Sequence, residues 1–117
     1  MSGKKSRDKG ARGERMFCQE VKDRGLNSYR IPLSGAMRNF DNDVIIETDF
    51  SPLEGEVKLR ANGFSQLYKF LQPTKTAGKP PDFLAVKQDR QDFLVVITLD
   101  NYVKLLKGEQ HEQDEKE

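Results

Sequence analysis

Leu53-Glu54-Gly55-Glu56-Val57-Lys58-Leu59-Arg60 is the stretch on which the reading of the whole chain turns. In an extended strand, side chains two apart share a face, so Glu54, Glu56, Lys58 and Arg60 point one way and Leu53, Val57 and Leu59 the other. One face belongs to a core and the other is charged. A solvated strand face accounts for this pattern. So does a reactive one: a carboxylate and a lysine two apart are what metal-dependent phosphodiester chemistry needs, with Glu56 holding Mg2+ and Lys58 steering a water and offsetting phosphate charge. The triplet Glu-Val-Lys alone does not choose between them.

The upstream neighbourhood adds weight to the second. Asp43 directly precedes Val44-Ile45-Ile46, a short β-branched apolar run that reads as a buried strand. Asp49 to Pro52 reads as a turn. The two strands are expected to pair as a hairpin, which sets an acid at the start of one beside Glu-Val-Lys on the next.

With 117 residues the chain has room for one domain. A hydrophobic content of 35% beside 33% charged residues predicts a small core under a heavily charged surface. The net charge of +1 hides an uneven distribution. Lys4, Lys5, Arg7, Lys9, Arg12 and Arg15 face only Asp8 and Glu14, whereas the last nine residues hold five acids and one lysine. Without those nine, 19 cations face 14 acids and the body carries +5. The expected organisation is a single domain over residues 1–108 with a basic N-terminal arm (1–7), followed by an acidic, disordered tail (109–117).

Cys18 is the lone cysteine and His111 the lone histidine. An intrachain disulfide, a cysteine zinc cluster and a histidine-based metal site or triad are therefore excluded within one chain. No apolar run approaches membrane-spanning length, and the basic N-terminus is not followed by the apolar region of a secretory signal. The expected location is intracellular and cytoplasmic, with no membrane association and no small-molecule cofactor.

Along the chain, residues 1–7 read as a mobile arm. Glu14, Phe17, Cys18 and Val21 repeat at helical spacing from about Asp8, with Gly25 as a C-terminal stop. Glu14 thus falls on the apolar face, where an ionised acid needs a partner or a metal unless it reaches water at the helix end. Tyr29 to Ile31 reads as a strand ended by Pro32. The segment from Leu33 to Asn42 mixes Arg38, Phe40 and small residues, a composition suited equally to an ordinary loop and to contact with a nucleic-acid backbone. Asn62 is expected to cap a helix whose Phe64, Leu67, Tyr68 and Leu71 enter the core, with Phe70 off that stripe. Phe83 to Val86 and Phe93 to Ile97 read as strands. Thr98 and Gly108 bracket a last helix carrying Leu99, Tyr102, Val103 and Leu106. The order α-β-β-β-α-β-β-α predicts an α/β domain with a mixed central sheet flanked by helices.

That order, with Lys9-Gly10 and Glu14-Arg15 on the first helix, Arg30 followed by Ser34-Gly35, Asp43-Val44-Ile45, and Glu56-Val57-Lys58, resembles the PD-(D/E)xK nuclease superfamily. More narrowly it resembles the Holliday-junction resolvases of archaea and their phages. The motifs span roughly the first half of the chain; each is weak singly, and the ordered set is more specific. The resemblance implies a restriction-endonuclease-like core and a magnesium-dependent endonuclease, with Mn2+ as a substitute. It implies that Asp43, Glu56 and the main-chain carbonyl of Val57 bind metal, Lys58 orients or activates the water, Glu14 joins through a water or second metal, and Ser34 is the catalytic serine. Lys4, Lys5, Arg7, Lys9, Arg12, Arg15, Arg30 and Arg38 would hold DNA phosphates without reading bases. The implied partners are a four-way junction and a second copy in a C2 homodimer, in the host cytoplasm if the chain is phage-encoded. Asn42 stands where the superfamily has proline, and the loop after Ser34-Gly35 is long, with a rival acid at Asp41.

Overall fold

A computed structural model describes residues 2–31, 43–73 and 78–108, the side chains of 2–9 excepted. The described elements are α1 (Ser2–Asp23), β1 (Ser28–Arg30), β2 (Val44–Ile46), β3 (Leu53–Gly55), α2 (Ser65–Phe70), β4 (Leu84–Val86), β5 (Leu94–Val96) and α3 (Leu99–Lys107). Their order is the expected one. Their arrangement is an α/β fold with small antiparallel sheets: β1-β2-β3 form one and β4-β5 another. This corrects the expectation of one mixed sheet, because every described strand pair is antiparallel and no pairing joins the two sheets among the described residues.

The first sheet is built around β2. Val44, Ile45 and Ile46 are all buried, as a central strand with both edges paired requires. Arg30 lies opposite Val44 on one side and Gly55 opposite Val44 on the other. Thr48 makes the connecting turn: its hydroxyl accepts from the amides of Phe50 and Ser51 and donates to the Ser51 carbonyl. The hairpin between β2 and β3 therefore forms as its turn chemistry predicts. Strand β3 is shorter than expected, however, and its ladder ends at Gly55. The alternation of exposure nonetheless continues through Lys58, with Val57 half-buried between exposed Glu56 and Lys58.

Helix α1 covers this sheet. Cys18 and Val21 are buried on its inner face. It begins at Ser2, so its backbone includes the segment expected to be a mobile arm. It stops at Gly25, whose φ of +101° suits a residue without Cβ; the Gly25 and Leu26 amides donate back to the Lys22 and Val21 carbonyls. At the other end of the chain α3 is closed by both expected signals: Thr98 accepts from the Asn101 amide, and Gly108 adopts the left-handed conformation. Arg24 bonds Asp100 at 2.6 Å, and Lys107 donates to the Arg24 carbonyl at 3.0 Å. The hydrogen bond that Arg24 donates to Asp100 raises the Arg24 pKa above its ordinary value, against partial desolvation.

Helix α2 departs from the sequence reading. It starts at Ser65, not after an Asn62 cap; Phe64 occupies the cap position without a side-chain bond, and no residue of α2 is buried. Tyr68, expected in the core, is 69% exposed. Among the described residues, no helix is long and apolar enough to cross a membrane.

Candidate active site

Asp43 is held by its own backbone before its side chain acts. Its amide donates to the Gly55 carbonyl and its carbonyl accepts from the Ile31 amide, both at 2.9 Å, so the ladder extends one residue beyond β2 on each side. Its carboxylate Oδ2 then accepts from the Val57 amide at 3.1 Å. This bond explains why β3 stops where it does. The Val57 N–H is satisfied by a side chain instead of a neighbouring strand, and the segment carrying Glu56, Val57 and Lys58 is tethered to Asp43.

Helix α1 approaches the same corner. A Cβ built on buried Gly13 would lie 3.4 Å from Leu59 and 3.5 Å from Val57, so the helix packs its backbone against the 57–59 segment. Gly13 was not among the residues singled out from sequence. The signal was present, since glycine inside a helix costs roughly 1 kcal/mol relative to alanine and so points to a packing reason. The next residue, Glu14, accepts from Arg30 Nε at 2.9 Å, with the two side chains 18% and 36% exposed. An inward-facing acid is thereby paired across the helix–sheet interface, as burial demands.

Glu56 and Lys58 sit on the outer side. They are 51% and 67% exposed and lie 3.7 Å apart, a weak pair in water-accessible surroundings. Arg12 and Arg15 are exposed on α1. Arg30, expected at the DNA backbone, donates to Glu14 and keeps about a third of its side chain exposed. Ser34, Arg38 and the rival acid Asp41 lie outside the described residues, as do the side chains of Lys4, Lys5, Arg7 and Lys9 and the acidic tail.

The donor set can be weighed for a metal. Asp43 and Glu56 offer hard carboxylate oxygens from adjoining strand ends, which fits the one or two carboxylates by which Mg2+ is commonly bound together with waters and substrate phosphates. It does not make a dedicated cage: among the described residues no three His, Cys, Asp or Glu side chains gather closely enough to hold an ion. Comparisons with protein-family models, curated proteins and solved structures find no match.

Proposed function

We propose that this chain is a metal-dependent, structure-selective DNA endonuclease with a restriction-endonuclease-like core, resolving four-way junctions by paired phosphodiester hydrolysis as a C2 homodimer. The observation carrying this reading is the bond from the Val57 amide to Asp43, which brings the acid at the head of β2 against the Glu56-Val57-Lys58 segment. Mg2+, when bound, lowers the pKa of a water and neutralises charge on the phosphate. Asp43 and Glu56 would hold the ion. The Val57 N–H fixes the direction of the Asp43 carboxylate, and Lys58 orients the attacking water beside the phosphate. Arg12 and Arg15, exposed on α1, take phosphates of the same strand. Ser34 would complete the site.

A second reading, a DNA-binding module without catalysis, is favoured by two observations: Glu14 is committed to Arg30, and Glu56 faces Lys58 in the open. Wild type, Asp43→Asn and Lys58→Ala on a labelled four-way junction and a matched duplex, in Mg2+ and in EDTA, separate the two. Symmetric nicks in the junction alone, lost in EDTA and in both variants while Asp43→Asn still binds the junction, are expected. Equal cleavage of duplex would keep the nuclease and move it to a duplex, flap or mismatch substrate. Binding with no cleavage in any divalent metal would establish the module.

A further inference from the structure

Lys58 belongs to a second feature. From Lys58 to Tyr68 the chain curls around an open groove of about 280 Å3, where Arg60, Asn62, Phe64 and Ser65 join those two residues. A larger groove of about 550 Å3 adjoins it, sharing Lys58, Phe64 and Tyr68 and lined otherwise mainly by the apolar side chains of Leu67, Leu71, Val96, Ile97 and Leu99. The smaller groove is lined by two cations, Lys58 and Arg60, and the larger by Lys58 alone, with no carboxylate in the described lining of either. The Arg60 guanidinium lies over the Phe64 ring at 6.0 Å, which steadies a cation at the rim. Tyr68 presents its ring on the exposed face of α2, with Ser65 one turn away on the same face.

We infer that this groove is a stacking subsite for unpaired nucleotides of a DNA strand. An aromatic platform flanked by cations is the arrangement that binds single strands without reading sequence, because every base has a π-face and every linkage a charge. Tyr68 takes a base on its ring, Lys58 and Arg60 take the flanking phosphates, and Asn62 and Ser65 meet sugar or base edges. In the smaller groove an apolar peptide is the poorer occupant, since it would strip water from Arg60 and from the exposed Lys58–Glu56 pair. Two grooves sharing Lys58 also extend further than one base, which favours a strand over a free nucleotide. The inference rests on the endonuclease reading only in placing the subsite beside the strand to be cut; Lys58 is common to both.

The test is fluorescence anisotropy of the full chain with a labelled twelve-residue oligothymidylate in EDTA, together with quenching of a 2-aminopurine placed mid-strand. Salt-sensitive binding and quenching are expected. Tyr68→Ala should weaken binding roughly five- to hundredfold and abolish the quench, and Tyr68→Phe should restore both. Tyr68 is largely exposed, so circular dichroism should show an unchanged fold. Equal affinity of Tyr68→Ala, no binding of the oligonucleotide, or occupation of the groove by an apolar peptide with no response to the oligonucleotide would overturn the subsite. Junction cleavage with Tyr68-independent binding would remove the subsite alone. Tyr68-dependent binding without cleavage would keep it and remove the nuclease.

Discussion

The two sheets are made of similar residues and end differently. In β2 every side chain is buried, and Val21 of the covering helix is fully enclosed. In β5, Leu94 and Val95 point to opposite faces, yet they are 65% and 63% exposed, and Phe83 and Phe93 beside them are also open to solvent. A β-branched run becomes core only where a third strand and a helix cover it; a two-stranded hairpin cannot enclose its own side chains. The first half of the chain thus carries most of the stabilising interior, to which α3 adds Val103. The second half displays an apolar surface of the kind that marks association, and the proposed homodimer would gain most by burying it.

The sharpest break in this contrast is large-to-small substitution on each side. Ile46→Ala should cost about 2–5 kcal/mol in urea unfolding, while Val95→Ala should stay within about 0.5 kcal/mol. Equal losses would mean that β5 is covered in solution. The helix ends give a second, smaller comparison. Gly25→Ala forces a side chain into a positive φ and against the Lys107 ammonium, 2.8 Å from the added carbon, and should cost at least about 1 kcal/mol. Thr98→Ala removes the cap of α3 and should cost about 1 kcal/mol. Thermal unfolding of both variants checks whether the end of α1 matters more than the start of α3.

These boundaries were legible because their causes are local. Val44–Ile46, Thr98 and Gly108 announce a strand, a cap and a stop within a few residues. Where β3 ends was not legible, since the Val57 amide is taken by Asp43 from fourteen positions away and apolar alternation persists after pairing has ceased. The stripe of Phe64, Leu67, Tyr68 and Leu71 was visible, but spacing says which residues share a face and not what lies opposite; here Phe64, Leu67 and Leu71 are only half-buried and Tyr68 is exposed. The division into two sheets escaped for the same reason, because a strand's sequence does not name its partner. At the site, the order of Asp43, Glu56 and Lys58 was readable. The pairing of Glu14 with Arg30 and the close approach at Gly13 arise only when the helix docks.

The smallest effect concerns pH. Partial burial and the Glu47 carboxylate raise the Tyr29 pKa above its usual value of about 10. Because the folded value is the higher one, this contribution to stability is complete below the unfolded pKa and is lost as pH rises through the folded pKa. Tyr29→Phe should therefore flatten the loss of stability in alkaline solution, measured by urea midpoints from pH 8 to pH 11. An unchanged slope would mean that the Tyr29 ring edge of the first sheet is as open to water as β5.

The contacts of Arg24 with Asp100 and of Lys107 with the Arg24 carbonyl span 76 and 83 positions of the chain. Closing so long a loop costs more entropy than closing the β2–β3 hairpin. The order of assembly follows: the helix-covered sheet forms early from neighbours in sequence, and the tie between the two ends comes late. In the reverse direction α3 is expected to open first, which native-state amide exchange faster in α3 than in β2 would show.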